Sequence, residues 1–208
     1  IPYMVWLFTT FDMTHVVNRI IPYGIPPLIS YIFCAFLSLL VFSVGKNRRD
    51  TIIFSIIALA YTYLSLDIFL NCVITDPVIG LRFSRTSHLV VVFIPVMMVQ
   101  LMRFITDRRT ERPILYALYG IALTLFFFVP TNYYFNGMYY YSWGFFGKGG
   151  PLFHVMSVYS ALATVYSIPI LTHTFRRTEN RYKKRRIMYL LIALVSTALI
   201  SMGSFGAI

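Results

Sequence analysis

Residues 151–175 read PLFHVMSVYSALATVYSIPILTHTF, an apolar block that contains no Asp, Glu, Lys or Arg. At about 1.5 Å of rise per residue, a helix of this length can cross a hydrocarbon core of ~30 Å. The block is followed by RRTENRYKKRR at residues 176–186, where seven of eleven residues are Lys or Arg. Short loops rich in Lys and Arg stay on the cytoplasmic side of a membrane. The pattern therefore predicts a transmembrane helix whose carboxyl end lies inside.

The composition of the whole chain indicates a membrane protein before any motif is considered. Hydrophobic residues make up 58% of the 208 positions, charged residues only 12%, and the mean hydropathy is +0.72. One water-soluble core of this size cannot bury so many apolar side chains. We therefore predict an all-α integral membrane helix bundle that forms one domain.

Five further apolar blocks lie outward from the first one, four before it and one after it. Their lengths predict six spans in total, at about residues 28–44, 51–74, 88–105, 114–129, 151–175 and 187–204. The bundle occupies residues 26–208 in this interpretation. The segment 1–25 begins with only eleven apolar residues, so it is either a truncated helix or an interfacial segment. Because the chain opens without Met and stops shortly after an apolar block, we expect it to be a piece of a longer protein.

The positive charge of the chain is concentrated in three short loops between apolar blocks. Of 18 Lys and Arg residues, 14 lie in or beside residues 45–51, 106–113 and 176–186, and the formal net charge is +11. This clustering predicts that the three loops face the cytoplasm, in a multi-pass protein of the cytoplasmic (inner) membrane. The loops are also expected to attract anionic lipid headgroups. The predicted partner is therefore the lipid bilayer and not a nucleic acid.

Several classes of protein are disfavoured by what the sequence contains. The two cysteines, Cys34 and Cys72, indicate neither a disulfide framework nor a zinc site. A pair of haems needs two histidine pairs at matching depths, and only His88 and His154 lie where they could meet. No catalytic or phosphate-binding motif occurs. We therefore predict no enzyme activity, no cofactor and no metal in this chain.

Polar side chains inside the second predicted span form the first candidate site. Asp67 lies in the outer third of the span, and Asn71 follows four residues later on the same helix face. A carboxylate in the hydrocarbon region is costly, so it usually faces a partner or a cavity. Arg85 and His88, at the outer start of the third span, are the expected partners. A structural cluster and a ligand site are both compatible with this pattern.

An aromatic run at residues 133–146 lies before the span that begins at residue 151. Nine of these fourteen residues are Tyr, Phe or Trp, more than an interfacial belt needs. The run is either a lid over the outer end of the bundle or an aromatic ligand pocket. Trp143, together with His154 near the outer helix end, is therefore added to the candidate ligand-binding residues.

Other residues are candidates for signal transmission through the bundle. Gln100 lies inside the third span, five residues after Pro95, and Pro169 lies inside the fifth span. Prolines remove a helical hydrogen bond and permit kinks. Arg176 and Arg177 follow at the predicted inner end of that helix. These positions predict a route from the outer half of the bundle to the cytoplasm.

The chain resembles a known family in the residues that surround the fifth span. Residues 141–152 read YSWGFFGKGGPL and are followed by a helix with His154 near its start, the basic loop and a helix that ends near Gly203. This combination is similar to the N-terminal seven-helix sensor region of bacterial histidine kinases. The same region precedes diguanylate cyclase, adenylate cyclase and phosphatase domains. The chain departs from that pattern in having neither a seventh span nor an effector domain.

The resemblance implies a membrane-embedded sensory input module, which senses a ligand or the bilayer in its outer half and signals to a cytoplasmic effector. Two alternatives stay open. The first is that the chain is a non-catalytic accessory subunit of a larger membrane complex. The second is that it is a fragment of a transporter, in which Asp67, Asn71 and Gln100 would line the transport path. We expect a homo-oligomer or a larger complex in the membrane. A transporter of this size usually has an inverted repeat, and none is visible.

Overall fold

A computed structural model describes residues 23–45, 48–106 and 112–205, with side chains described through residue 195. Most of the predicted N-terminal segment 1–25, and parts of the basic loops 45–51 and 106–113, lie outside these residues. The described part contains seven helices and one β-hairpin. In chain order they are α1 (Ile25–Gly45), α2 (Arg49–Val73), α3 (Pro77–Val91), α4 (Ile94–Thr106), α5 (Arg112–Phe128), β1 (Phe135–Tyr141), β2 (Gly144–Gly149), α6 (Pro151–Arg177) and α7 (Arg181–Phe205).

The helices form a multi-pass membrane bundle, as predicted. Four helical stretches are long and apolar enough to cross a membrane, namely α1, α2, α6 and the stretch Pro77–Thr106 that α3 and α4 form together. The apolar helix α5 has 17 residues and is shorter than these. Side chains in the second half of α7 are outside the description. The total of six spans therefore stays a prediction.

The third span begins eleven residues earlier than the sequence suggested, at Pro77 and not at His88. Asp76 caps the helix because its side chain accepts a hydrogen bond of 2.8 Å from the backbone N–H of Val78, and Pro77 occupies the first helical position. The polar residues that follow looked like a loop in a hydropathy profile. They are helical, and Ser84 and Ser87 are buried in the bundle.

A break separates α3 from α4 at Val92 and Phe93, two residues before Pro95. Proline has no backbone N–H, so the carbonyl one turn before it loses its helical partner. The turn is closed by other bonds, since Val92 N–H donates to the His88 carbonyl and Phe93 N–H to the Val90 carbonyl. The interruption lies where the sequence analysis expected a kink.

The helix α1 packs chiefly against α2. Two serine contacts join them: the Ser30 and Ser65 hydroxyls are 3.0 Å apart, and the Ser38 hydroxyl donates to the Ser55 carbonyl at 2.8 Å. Serine side chains allow close helix approach in lipid and hydrogen-bond across the interface. The other faces of α1 expose large apolar side chains, as lipid contact requires.

The core of the bundle is centred on α4 and α6. Its buried residues come from α4, α5, α6, α7 and the start of the hairpin, including Val96, Met102, Leu125, Leu171 and Ile187. Tyrosines add hydrogen bonds within it. The Tyr119 hydroxyl donates to the Gln100 side-chain oxygen, which joins α4 to α5. The Tyr159 hydroxyl donates to the Leu118 carbonyl at 3.4 Å and joins α6 to α5.

The aromatic run forms a β-hairpin, which the sequence analysis did not predict. The antiparallel pairing runs from Tyr141 opposite Gly144 to Phe135 opposite Gly149, with a bulge between Phe135 and Gly137. Aromatic residues favour strands and pair across them, as Tyr140 and Phe145 do at 5.5 Å between ring centroids. The predicted all-α class therefore describes the helix bundle. The segment that connects α5 to α6 is a β-hairpin.

The two ends of the bundle differ in chemistry. At one end, Asp50 at the start of α2 pairs with Arg48 at 3.0 Å and with Arg186 of α7 at 3.3 Å. At the other end of α2, the hairpin packs against Asn71 and Cys72. The basic segments around residues 48 and 186 therefore lie at the same end, opposite the hairpin.

Gly144 provides a test of how the hairpin is seated. A side chain there would place its Cβ 2.4 Å from the Asn71 carbonyl oxygen, and the residue has a φ of +145°. We expect Gly144→Ala to lower the free energy of unfolding by roughly 1–3 kcal/mol, because contact and backbone strain act together. Thermal unfolding in detergent measures it.

The matched control is Gly120→Ala in α5, where a new Cβ would meet no atom within 4 Å. Alanine is the better helix former, so this variant is expected to be at least as stable as the parent chain. Equal melting temperatures for both variants would contradict the packing of the hairpin on α2.

Candidate functional site

A buried polar group, which we call the Asp67 cluster, joins α2 to α3 in the half of the bundle near the hairpin. It consists of Asp67, Asn71, Ser84 and Ser87. Asp67 lies six residues before the end of α2, or about 9 Å along the helix. Its side chain is 6% exposed and that of Asn71 5%. The cluster is thus enclosed by protein.

Three neutral donors satisfy the Asp67 carboxylate. One oxygen, Oδ1, accepts from Asn71 Nδ2 at 2.9 Å and from the Ser84 hydroxyl at 3.1 Å, while Oδ2 accepts from the Ser87 hydroxyl at 3.0 Å. Asn71 Nδ2 also donates to the Ser84 hydroxyl oxygen at 2.9 Å. Within the described part of the chain, no Lys or Arg pairs with Asp67.

The expected pairing of Asp67 with Arg85 or His88 is therefore wrong. Arg85 lies on a neighbouring face of α3, where its Nη2 donates to the Asn132 side chain at 2.7 Å and to the Phe135 carbonyl at 2.6 Å. The guanidinium thus holds the base of the hairpin. The physical reason is the helical phase of α3, which turns Ser84 and Ser87 towards α2 and Arg85 towards the hairpin.

His88 occupies an aromatic environment next to the cluster. Its Nδ1 lies 2.8 Å from the Ser84 carbonyl oxygen, which accepts the bond when Nδ1 carries the proton. The imidazole ring contacts Phe135, Tyr134 and Phe153, with centroids 4.7, 5.7 and 6.1 Å away. His88 therefore connects α3 to the hairpin and to the start of α6.

The hairpin covers the Asp67 cluster on the side away from the basic end of the bundle. Gly144 approaches the Asn71 backbone so closely that a Cβ has no room, as described above. The hairpin side chains Met138 and Phe145 lie 3.4 and 3.9 Å from the position that a Cβ at Gly80 would take, and the Asn71 Oδ1 lies 2.7 Å from it. Small residues on α3 and β2 thus leave space for the Asn71 amide beneath an apolar cover.

Three side-chain polar atoms in the described residues are buried without a hydrogen-bond partner, and all three lie around this site. They are Asn71 Oδ1, Arg85 Nε and the Tyr134 hydroxyl. Burial raises the pKa of the Tyr134 hydroxyl well above its ordinary value, so it keeps its proton and can donate. Buried polar groups are normally paired, and exceptions concentrate where a ligand, ion or water is bound. The site therefore offers one acceptor and two donors.

The structure does not bring all predicted site residues together. Asp67, Asn71, Arg85 and His88 lie in one region. Trp143 is at the hairpin turn, where its ring stacks on Tyr141 at 5.3 Å with an interplanar angle of 3°.

The contact with His88 that the position of His154 allowed is not formed, since His154 is exposed and the His88 ring packs against Phe135, Tyr134 and Phe153. The ring of the preceding residue, Phe153, lies next to the His88 ring instead. A helix turns successive side chains by about 100°, so His154 faces away from the site.

The predicted transmission residues have separate positions. Gln100 is hydrogen-bonded within the core, and Pro169 lies on an exposed face of the continuous helix α6. Arg176 and Arg177 are exposed in its last turn. These four residues form no common site.

Sequence reasoning missed the residues that satisfy Asp67 and those that surround His88. Ser84, Ser87 and His88 have the spacing of one helix face, and the Asp76-Pro77 pair is a helix-start signal. Together these two features could have placed the serines on α3 facing α2. No sequence signal indicated that Asn132 and the Phe135 carbonyl would take up Arg85, because this contact needs the folded hairpin.

The contacts predict that Asp67 is energetically coupled to Ser87 and not to Arg85. In a double-mutant cycle of Asp67→Asn and Ser87→Ala, we expect a coupling energy of roughly 0.5–3 kcal/mol, because the two groups share a buried hydrogen bond. The matched cycle of Asp67→Asn with Arg85→Gln should be additive within about 0.5 kcal/mol. Denaturant or thermal unfolding in detergent measures both, and the reverse ranking would contradict the contacts described here.

Comparison with known proteins identifies the family. The family model described as the N-terminal 7TM region of histidine kinase matches residues 26–206, which include the Asp67 cluster and the hairpin. No curated protein and no solved structure matches the chain. The resemblance drawn from residues 141–152 and the basic loop is confirmed. The chain thus belongs to the N-terminal seven-transmembrane region of histidine kinases, a membrane sensor region that is itself non-catalytic.

Proposed function

We propose that the stimulus is detected in the outer half of the bundle, at the Asp67 cluster and the adjacent Arg85, His88 and Tyr134. The observation that carries this proposal is the presence, among the described residues, of three buried polar atoms without a hydrogen-bond partner where α2, α3 and the base of the hairpin meet. A stable core alone gives no reason to keep such atoms, since each costs about 1–3 kcal/mol. A small polar ligand, or a change in the bilayer that moves the hairpin, would alter their pairing.

The hairpin is positioned to pass this change to α6 without a flexible linker. Only Gly150 separates the end of β2 from the start of α6. Its N–H donates to the Tyr134 carbonyl at 2.7 Å, and the Leu152 N–H donates to the Tyr133 carbonyl at 3.0 Å. A displacement of the hairpin relative to α3 therefore moves the first turn of α6 in this proposal.

The proposed signal then runs along α6 to the basic end. Leu171 and Ile187 are fully buried and belong to the shared core there. The Lys184 ammonium lies 5.0 Å from the centre of the Phe175 ring, across the loop that joins α6 to α7. We propose that Pro169 permits the inner part of α6 to tilt and that Arg176 and Arg177 move with it. A ligand shifts such an equilibrium only by its difference in affinity for the two arrangements.

We also propose that the basic end is cytoplasmic, which places the hairpin outside. The charge pattern and the joining of residues 48–50 to Arg186 at one end support this orientation. The lysines and arginines of that end are then available to anionic headgroups of the inner leaflet of the cytoplasmic membrane. We also propose that the chain forms a homo-oligomer or part of a larger membrane complex, which is supported only by the expectation from the sequence.

The orientation predicts which single cysteines an impermeant thiol reagent can reach in intact cells. In a background of Cys34→Ser and Cys72→Ala, we expect Ser142→Cys at the exposed hairpin turn to be labelled and Asn180→Cys to be protected. Asn180 is equally exposed on the chain, so the membrane is the reason for the difference. Permeabilised cells provide the control, since both positions should then react. Labelling of Asn180→Cys alone in intact cells would reverse the proposed orientation.

The sensory role predicts that the polar site controls the kinase. In full-length histidine kinase reconstituted in nanodiscs, we expect Asp67→Asn and Arg85→Gln each to change the autophosphorylation rate by at least about fivefold, because each shifts the balance between two arrangements. The control is Thr86→Ala on the same turn of α3. Thr86 is exposed, and within the described residues its hydroxyl bonds only to the Arg82 carbonyl of its own helix.

Unchanged autophosphorylation in both site variants, with melting temperatures reduced, would contradict the sensory proposal. The Asp67 cluster would then be a structural contact between helices. Such a result would favour the alternative of a non-catalytic accessory unit in a larger membrane complex.

A further inference from the structure

The Asp67 carboxylate lacks a counter-charge in a place where one is expected. It is buried in a membrane-spanning helix, and the three groups that donate to it are neutral. Transferring an unpaired carboxylate from water into a low-dielectric interior is strongly unfavourable. The guanidinium of Arg85, on the facing helix, is bound at the base of the hairpin. The negative charge is therefore compensated either by a proton or by a cation.

The atoms around Asp67 have the chemistry of a hard-cation site. The cluster contains two carboxylate oxygens, two serine hydroxyl oxygens and one amide oxygen, and no nitrogen or sulfur ligand is required. Hard cations such as Na⁺, Mg²⁺ and Ca²⁺ prefer oxygen ligands of this kind. One carboxylate provides a single negative charge, which balances a monovalent ion and leaves a divalent ion in excess. We propose that the Asp67 cluster binds one Na⁺ ion.

The serine hydroxyls can turn a lone pair towards such an ion. The Ser87 hydroxyl lies 3.0 Å from Asp67 Oδ2 and also 3.0 Å from the Ser84 carbonyl oxygen. A hydroxyl has one proton and can donate to only one of these acceptors at a time. When it donates to the carbonyl of its own helix, its oxygen faces Asp67 with a free lone pair. An ion bound to both oxygens, to one side of the line that joins them, then replaces the hydrogen bond.

The unpartnered oxygen of Asn71 is the second observation that indicates an ion. Its Nδ2 now faces the cluster, 2.9 Å from Asp67 Oδ1 and 2.9 Å from the Ser84 hydroxyl oxygen, while Oδ1 is buried near Gly80 without a partner. Rotation of the amide by 180° exchanges these atoms within the same volume. Oδ1 then faces Asp67 Oδ1 and, because neither oxygen can donate, a cation or a proton has to bridge them, while Nδ2 takes the buried place near Gly80.

The spacing favours a small ion over a large one. The polar atoms of the cluster are separated by 2.9–3.1 Å. Ions with the radius of Na⁺ or Ca²⁺ take oxygen ligands at roughly 2.4 Å, so small outward shifts of the two serines are sufficient. The larger K⁺ ion would need greater expansion of a packed interface. The apolar cover of Met138 and Phe145 separates the ion from outside water.

Binding of Na⁺ would hold α2 and α3 together and fix the amide of Asn71 beside the hairpin. In the absence of the ion, the amide returns to the serine-bonded arrangement. This regulatory meaning rests on the sensory function proposed above, whereas the binding itself does not. The experiment therefore measures binding and kinase output separately.

The test is saturable binding of radioactive sodium to the full-length kinase in nanodiscs at constant ionic strength, with choline as the inert replacement. We expect one ion per chain, displaced by unlabelled Na⁺ and at least about tenfold less effectively by K⁺. Asp67→Asn should abolish binding, and Ser87→Ala should weaken it at least about tenfold while retaining the charge. The controls Asp50→Asn and Thr86→Ala should bind as the parent protein does.

Absence of saturable binding in the parent protein would overturn the inference and assign a proton to Asp67. Unchanged binding in both Asp67→Asn and Ser87→Ala would overturn it as well. If Asp67→Asn fails to fold, the test is the comparison of sodium binding by Ser87→Ala and Thr86→Ala, and equal binding by these two variants would overturn the inference. Loss of the inference leaves the sensory proposal intact when Asp67→Asn still alters autophosphorylation. Conversely, Na⁺ binding without any effect on autophosphorylation would contradict only the regulatory role of the ion.

Discussion

A carboxylate inside a membrane helix has to be satisfied by protein, because lipid tails offer neither hydrogen bonds nor counter-charge. In this chain the carboxylate is that of Asp67, and its need for hydrogen-bond donors explains several neighbouring features. Ser84 and Ser87 have to face α2, which sets the rotation of α3 about its axis. The same rotation turns Arg85 and His88 towards the base of the hairpin. One buried charge thus determines how three elements meet.

The attachments of the hairpin explain how it could transmit a displacement between helices. Arg85 holds its base from α3, Gly144 seats it on the end of α2, and Gly150 connects it directly to α6. It therefore touches each helix that surrounds the Asp67 cluster and leads into the helix that reaches the basic end. A lid joined by flexible segments could close the site but would not move α6. The rigid attachment is what makes a sensory role mechanically reasonable.

Stability and function place opposite demands on the same few polar groups. Among the described residues, buried polar side chains nearer the basic end have partners, as the Gln100 contact with Tyr119 illustrates. In the half near the hairpin, Asn71, Arg85 and Tyr134 each keep a buried atom without a partner. Such groups lower stability unless something else completes them, and their grouping in one region favours a binding role over accidental packing. A bound cation at Asp67 would neutralise the carboxylate.

The sequence by itself determined the membrane environment, the helical class and the family, because apolar block length, charge clustering and the residues 141–152 are local properties of the chain. It also placed Asp67 and Asn71 on one helix face, since a spacing of four residues needs no tertiary information. Only the tertiary structure decided which groups satisfy Asp67. The stretch that contains Ser84, Arg85 and Ser87 is too polar to look like a span, and it becomes helical and half-buried because α2 supplies a carboxylate to pair with. The hairpin likewise depends on a backbone contact at Gly144 that no periodicity could indicate, because it joins residues more than seventy positions apart.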